Sequence, residues 1–429
     1  MSPCFKKRVE NKPIDNPELC IPEPQPTMKN KIKKSIQALN HTVYTSNELS
    51  MLAKSMYENV PEDYKEYCPG NFDAMIKYLH VVVMITPPFL IDASDYVGVP
   101  ITTVLLCFLH THEGRKFFAD QRVNENMRSI VEVYAELLNS TDSLAVFNEG
   151  QYGYLSKCAL DIVAEKAVPL TQKEIDGFTS FNDFFTRKLP NMEKIRPIAP
   201  GRYVLTAPGD VVVAYNATNI DFENVLYNKN EKYSLLQIFD NKPKIARLFE
   251  GGSILQVYYS PLKYHWYHTI ASGELVFAKK VPGILYAIDE VNTMLNNNLT
   301  KGEQLNPQEK LDRWLELGQD GLLSTEPYLG HVATRCVFVV KNPDIGYIGM
   351  VFIGMTEISS CTVVRSKGDQ LKKGDELGVF QFGGSSAILV IQKEAVMASR
   401  YRDDILQLLK QDMELKTGQK MIDLSPAKY

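Results

Sequence analysis

Apolar positions in the N-terminal part of the chain recur at helical spacing. Residues 47–53 start with an Asn/Ser capping signal and continue on a 3.6-residue period. Segments 72–84, 100–118 and 124–139 carry the same spacing, and few runs here alternate with period two. The pattern predicts a helical N-terminal domain over residues 34–168, ending near Val168-Pro169. Residues 1–33 hold Pro, Lys, Asn and Glu with no apolar run, and are expected to form a disordered lead-in. After Arg196-Pro197 the texture changes. Runs over 203–215, 253–259, 273–281, 334–340, 346–354 and 361–364 are rich in Val, Ile, Tyr and Phe, with Gly and Pro between them. They predict a mainly antiparallel β domain over 169–429, so the fold class is α+β. The polar insert 289–330 reads as a loop with a short helix around 311–317, and 403–415 as a closing helix.

Two stretches carry more detail. In 178–189, Ser180 and Asn182 can cap a short helix whose Phe side chains face a core and whose Arg187 faces out. In 377–391, an alternating run and a nearly all-aliphatic run flank Gly383-Gly384-Ser385-Ser386. This predicts a β-hairpin with one buried arm and a sharply bent link, since two glycines can take positive φ. Ser385 then sits at the tip beside the Gly384 carbonyl. From these residues alone an ordinary hairpin turn is the favoured reading; a reactive serine needs a base from elsewhere in the chain.

Composition narrows the classes. A net charge of −4 gives no support for nucleic-acid binding. Seven cysteines without C-x-x-C spacing argue against a disulfide framework and a structural zinc site, and suit a reducing compartment such as the cytoplasm. The most apolar stretch, 81–109, is interrupted by Pro87-Pro88, Asp92, Asp95 and Pro100, so it does not span a bilayer. His110 and His112 are two apart and do not share a helix face; with His41 and His80 they are read as surface or packing residues, and no metal is expected.

Candidate chemistry lies further on. Tyr264-His265-Trp266-Tyr267-His268 follows a strand-like run and Ser260-Pro261. The two histidines fit a general base, a metal pair or core packing. Asp210, in Ala207-Pro208-Gly209-Asp210, precedes a strand. It is a turn aspartate or a residue that orients a histidine.

Four motifs in order carry a family resemblance: Phe184-Phe185-Thr186-Arg187-x-Leu189; Pro208-x-Asp210; Ser260-Pro261-x-x-Tyr264-His265-x-x-His268 with Gly273; and Gly378-x-Phe380-x-Phe382-Gly383-Gly384-Ser385-Ser386. Over 178–391 the chain resembles the phosphatidylserine decarboxylase family. Gly252-Ser253-Ile254-Leu255-Gln256, the stretch 351–359 and the helical N-terminal domain look like its tryptophan-decarboxylating branch. The resemblance implies a self-processing decarboxylase, cleaved between Gly384 and Ser385, whose cofactor is a pyruvoyl group derived from Ser385. His268, held by Asp210, deprotonates Ser385; the alkoxide attacks the Gly384 carbonyl; elimination and hydrolysis leave the pyruvoyl group on the new N-terminus. His265 then assists decarboxylation, with the ketone as electron sink for a substrate amine. The implied partners are a free, aromatic L-amino acid such as tryptophan, and the cleaved β and α chains, which stay associated. Val211 stands where the family usually has Gly, and Trp266 where it often has Arg. Phosphatidylserine is the alternative substrate; a non-catalytic β scaffold with a helical binding module is the alternative of another class.

Overall fold

A computed structural model describes residues 24–60, 62, 65, 68–89, 99–109, 111–150, 152–166, 172–220, 222, 227–228, 231–232, 235–259, 262–287, 329–354, 357, 361–382, 385–399 and 409–426. The expected short helix near 311–317 lies outside the described residues. The chain divides into two compact units. One holds Met1–Phe185 and Ile284–Thr325; the other holds Thr186–Gly283 and Glu326–Tyr429.

The first unit is helical because its apolar stripes and caps agree. α1 (Pro26–Tyr44) buries Ile32, Ile36, Leu39 and Val43. It starts inside the expected lead-in; Pro26 sits at the first turn, where a missing N–H costs no hydrogen bond. α2 (Asn47–Glu58) is capped by Ser46 and α3 (Phe72–Val82) by Asn71. The expected helix over 100–118 is two helices, α4 (Pro100–Leu109) and α5 (His112–Ala119). Thr111 breaks the run: its hydroxyl accepts from the Gly114 N–H at 2.9 Å and starts α5 afresh. α6 (Gln121–Leu138) begins at Asp120 and buries Val123, Met127, Ile130, Val131, Tyr134, Leu137 and Leu138. α7 (Lys157–Lys166) and α8 (Gln172–Gly177) follow.

α9 (Phe181–Phe185) is the short helix expected from 178–189. Ser180 caps it, accepting from the Asp183 N–H at 3.1 Å. The Phe181 N–H donates to the Ser143 hydroxyl at 2.8 Å, and Phe147 and Tyr154 pack on Phe184. These contacts tie α9 to the helical unit, which runs to Phe185. The cysteine expectation is corrected here too. Cys68 and Cys107 are joined by a disulfide, with Cα atoms 5.9 Å apart. Folding brings together two residues 39 apart, which spacing alone does not reveal. The cysteine pattern therefore no longer points to a reducing compartment. No helix among the described residues is long and apolar enough to cross a membrane.

The second unit is a β structure. Its strands are β1 (Val204–Thr206), β2 (Val211–Thr218), β3 (Tyr227–Asn228), β4 (Glu231–Lys232), β5 (Ser253–Tyr259), β6 (Trp266–His268), β7 (Gly273–Val281), β8 (Arg335–Asn342), β9 (Gly346–Gly354), β10 (Gln370–Leu371), β11 (Glu376–Val379), β12 (Ser385–Ile391), β13 (Glu414–Leu415) and β14 (Lys420–Asp423). Eight of them form one antiparallel sheet in the order β10-β7-β8-β9-β12-β5-β2-β13. β1 pairs with β14, β6 with β11, and β3 with β4.

β12 explains its own sequence. It lies between β9 and β5, and Ala387, Leu389 and Ile391 join the core with Leu255, Val257, Phe338, Met350 and Phe352. Ser386, Ile388 and Val390, on the opposite face, are fully buried as well. A strand covered on both faces is apolar throughout rather than alternating. Burying each such aliphatic side chain contributes about 1.5–3 kcal/mol.

Two sequence expectations differ. The arms flanking Gly383-Gly384 do not pair with each other: β11 pairs with β6, while β12 enters the large sheet. Both arms are strand-like, and local pattern cannot tell which strands each one pairs with. The expected closing helix 403–415 ends in strand β13, where Leu415 pairs with Val211; residues 400–408 lie outside the described residues.

Candidate active site

The site is assembled around β6. Tyr267 anchors that strand. It is fully buried, stacks on Phe352 at 4.1 Å, and hydrogen-bonds through its hydroxyl to the Thr362 carbonyl. β11 meets β6 with Gly378 opposite Tyr267 and Glu376 opposite His268. A Cβ on Gly378 would lie 2.0 Å from the Thr362 oxygen and 2.4 Å from the Tyr267 hydroxyl, so only glycine lets the strands close. The Phe380 N–H then donates to the His265 carbonyl at 3.1 Å. Both histidines are thereby fixed to the segment that leads directly to Gly384-Ser385.

His268 is buried, and its ring contacts define its tautomer. Nδ1 lies 2.8 Å from the Gly374 carbonyl oxygen and Nε2 lies 3.1 Å from the Tyr264 hydroxyl. A carbonyl only accepts, so Nδ1 carries the proton and Nε2 accepts from Tyr264. Burial lowers the His268 pKa below the ordinary imidazole value, against the Gly374 carbonyl and the charges of Glu376 and Asp210, which favour the cation. Burial also raises the Tyr264 pKa far above the usual phenol value, with Glu376 and Asp210 adding to it. The phenol is therefore a donor.

Asp210 was expected to hold His268; among the described residues its hydrogen bonds go elsewhere. Its carboxylate faces Arg196, with Nη2 2.6 Å from Oδ2 and Nε 2.9 Å from Oδ1. The Thr417 N–H and hydroxyl each donate to Oδ1 at 2.9 Å. Burial opposes ionisation of Asp210, but Arg196 and Thr417 outweigh it and hold the carboxyl below the usual range. Asp210 thus acts on His268 through its charge, not as a ligand of the ring. What joins the two segments is backbone: the His268 N–H donates to the Pro208 carbonyl at 2.8 Å. The turn ahead of β2 is pressed onto Tyr259, where a Cβ on Gly209 would lie 2.2 Å from the ring. Tyr259 is in turn the cross-strand partner of Ser385.

The backbone of Ser385 therefore lies in β12 between Tyr259 and Gly354; its side chain and Gly383-Gly384 lie outside the described residues. His265 is fully buried two residues before Tyr267. Trp266 does not leave its neighbourhood without a cation: the Lys188 ammonium stands 4.3 Å over its ring and pairs with Glu376 at 2.8 Å. Arg187, expected to face out, is buried and donates to the Leu262 carbonyl at 3.0 Å. Sequence reasoning missed Arg196, Gly374 and Thr417, and assigned Tyr264 no role. Of these only Tyr264 carries a local signal, standing four residues before His268.

The fold and site define an α+β enzyme with a buried imidazole–phenol–carboxylate cluster at one end of an antiparallel sheet. A family model described as phosphatidylserine decarboxylase matches residues 181–423, and a second of the same description matches 33–163. The chain belongs to the phosphatidylserine decarboxylase family, and it is a decarboxylase. It is 29% identical over 382 residues to an L-tryptophan decarboxylase of Psilocybe cubensis, covering 81% of this chain and 82% of that one. Against an L-tryptophan decarboxylase of Psilocybe cyanescens it is 28% identical, over 70% of this chain and 69% of that one. A phosphatidylserine decarboxylase proenzyme of Clostridium perfringens is 32% identical, over 58% of this chain and 72% of its own length.

Proposed function

We propose that this chain cleaves itself between Gly384 and Ser385, carries a pyruvoyl group made from Ser385, and decarboxylates a free aromatic L-amino acid such as tryptophan. The observation that carries the reading is the pairing of β6 with β11, which fixes His265 and His268 beside the strand entering Gly384-Ser385. His268 is neutral, desolvated and protonated on Nδ1, the state a base needs. It takes up the Ser385 proton, and the alkoxide attacks the Gly384 carbonyl carbon. The amide nitrogen leaves with a proton, giving an ester; β-elimination removes the Cα proton of residue 385 and breaks its Cβ–O bond, releasing the Gly384 carboxylate, and hydrolysis of the resulting enamine through its imine releases ammonia and leaves the ketone. Asp210 stabilises the imidazolium by its charge. The donor set suits the group: a serine within a strand held on both sides, followed by a segment packed in the core, keeps the new N-terminus in place after the cut. The pyruvoyl ketone, once formed, supplies an electron sink for loss of carbon dioxide. His265, buried beside the same segment, holds or delivers the proton for that step.

The substrate assignment is supported by relatives named for L-tryptophan, which match this chain over a larger share than the phosphatidylserine enzymes do. The test has two halves. Purified protein is expected to run as two chains on a denaturing gel, with Ser385→Ala remaining one. It is expected to release carbon dioxide from tryptophan with no added pyridoxal phosphate or detergent. Turnover of liposomal phosphatidylserine alone would overturn the substrate, and a cleaved Ser385→Ala protein would overturn the site.

A further inference from the structure

A neutral imidazole can hold its proton on either ring nitrogen, and the two contacts of His268 do not weigh equally in that choice. The Tyr264 hydroxyl, 3.1 Å from Nε2, can donate to a lone pair or accept from an N–H, so it suits both tautomers. The Gly374 carbonyl, 2.8 Å from Nδ1, can only accept and suits one. Asp210 directs its carboxylate to Arg196 and Thr417 instead of the ring. The choice therefore falls to the turn that carries Gly374.

That turn is built to hold one carbonyl in place. Lys372-Lys373-Gly374-Asp375 closes with the Asp375 N–H on the Lys372 carbonyl at 2.9 Å, and Gly374, at its third position, has a φ of 90°. This is the glycine position of a type II turn. A Cβ there would also lie 2.6 Å from Ile198 Cδ1. The Asp375 carboxylate accepts from the Lys372 N–H at 2.9 Å, tying the end of the turn to its start. The Lys373 ammonium donates to the Gly201 and Val204 carbonyls at 2.8 and 3.0 Å, and the Lys373 N–H donates to the Ser272 hydroxyl at 2.9 Å. Two backbone bonds then clamp the turn to the residue after His268. The Gly374 N–H donates to the Thr269 carbonyl and the Thr269 N–H to the Asp375 carbonyl, each at 2.9 Å.

We propose that this turn selects the proton-accepting tautomer of His268, with Gly374 and Asp375 as positioning residues. The inference rests on the reading of His268 as the base. With Nδ1 turned to a carbonyl, Nε2 is the nitrogen left to take up a proton, and it has a lone pair only while Nδ1 holds the hydrogen. A backbone carbonyl thus fixes tautomer and ring orientation, as the carboxylate does in an Asp–His pair, without placing a charge against the ring.

The test reads the tautomer directly. Full-length Ser385→Ala protein, expected to stay uncleaved, is isotope-labelled on its histidine nitrogens. Long-range proton–nitrogen spectra are recorded above the usual imidazole pKa of about 6.5. The signal that His268→Ala removes is expected to show a protonated Nδ1. Gly374→Ala and Asp375→Ala in the same background are expected to show the Nε2-protonated form. With Ser385 restored, both are expected to cleave at least about 10-fold more slowly, part of the roughly 10⁴-fold that the wrong tautomer costs a serine–histidine site. Asp375→Asn keeps an oxygen for the Lys372 N–H and is expected to restore tautomer and rate together. Should Gly374→Ala melt early, the comparison of Asp375→Ala with Asp375→Asn carries the test. Slow cleavage with the Nδ1 proton still in place overturns the proposal, because a merely structural loss does exactly that. A shifted tautomer with an unchanged cleavage rate overturns it too. Wild-type cleavage by His268→Ala overturns the base reading, and the part of the turn in the reaction with it.

Discussion

Thr417 closes on Asp210 with two donors at once, its N–H and its hydroxyl each 2.9 Å from the same carboxylate oxygen. The two residues lie on opposite sides of the Gly384-Ser385 bond. β12, on the C-terminal side of that bond, is the middle of the eight-stranded sheet, with β5 and β9 from the N-terminal side on either flank. The proposed cleavage would therefore leave two chains that share one core. They are expected to elute as one species under native conditions and to separate only in denaturant. Release of the small fragment from native, cleaved protein on size exclusion would contradict this.

Replacing Asp210 by Asn leaves Arg196 buried without its counter-ion. Breaking a buried pair on one side costs about 3–5 kcal/mol, so Asp210→Asn is expected to lower the denaturant midpoint markedly. Arg196→Met, made together with Asp210→Asn, is expected to recover part of the loss, because no charge is then stranded. Cleavage is expected to slow in the single variant, as the imidazolium loses its nearby anion.

The Asp210 carboxyl has its pKa lowered on folding. Its contribution to stability is fully present above the unfolded carboxylate value of about 4. It is lost as pH falls through the depressed folded value. Urea midpoints of the wild type are expected to drop steeply below about pH 4, and Asp210→Asn to show a shallower drop. Equal slopes for both proteins would refute the assignment.

His268, with a lowered pKa, stays neutral below the usual imidazole value of about 6.5. Self-cleavage, followed by gel densitometry, is expected to hold its rate down to pH below about 6.5 and to fall off only under more acid conditions. The two histidines separate by variant. His268→Ala is expected to block or strongly slow cleavage, whereas His265→Ala cleaves and loses most decarboxylation, each by about 10²–10⁴. The opposite pattern would reverse their roles.

Gly209 and Tyr259 form a packing pair, since a Cβ at 209 would stand 2.2 Å from the tyrosine ring. Gly209→Ala is expected to displace Tyr259, opposite Ser385, and to slow cleavage. Tyr259→Leu added to it is expected to relieve the clash, so that the double variant is more stable than the two single losses combined predict. Additive melting temperatures would show that the two residues do not couple.

Much of this protein can be read from short stretches of its chain. The strands at Ser253–Tyr259, Gly273–Val281 and Gly346–Gly354 follow from period and punctuation, and so does the cap at Ser180. These features are local, because side-chain alternation and a capping oxygen act within a few residues. The motifs around Asp210, His265, His268 and Ser385 can be read for the same reason: each is contiguous. What the sequence leaves open is which partners those residues meet. Asp210 meets Thr417, 207 positions away, rather than His268, and Cys68 meets Cys107. Arg187 goes inside because a carbonyl at Leu262 is there to receive it. The arms beside Gly383-Gly384 part company because one pairs with β6 while the other is held between β9 and β5 in the large sheet. Hydrogen bonds and burial are decided by distance in space, and two residues hundreds of positions apart come within 3 Å only when the whole sheet has formed. The chain supplies the imidazole, the phenol and the serine; the tertiary fold alone decides that the phenol caps the imidazole on Nε2 and that a carbonyl fixes the proton on Nδ1.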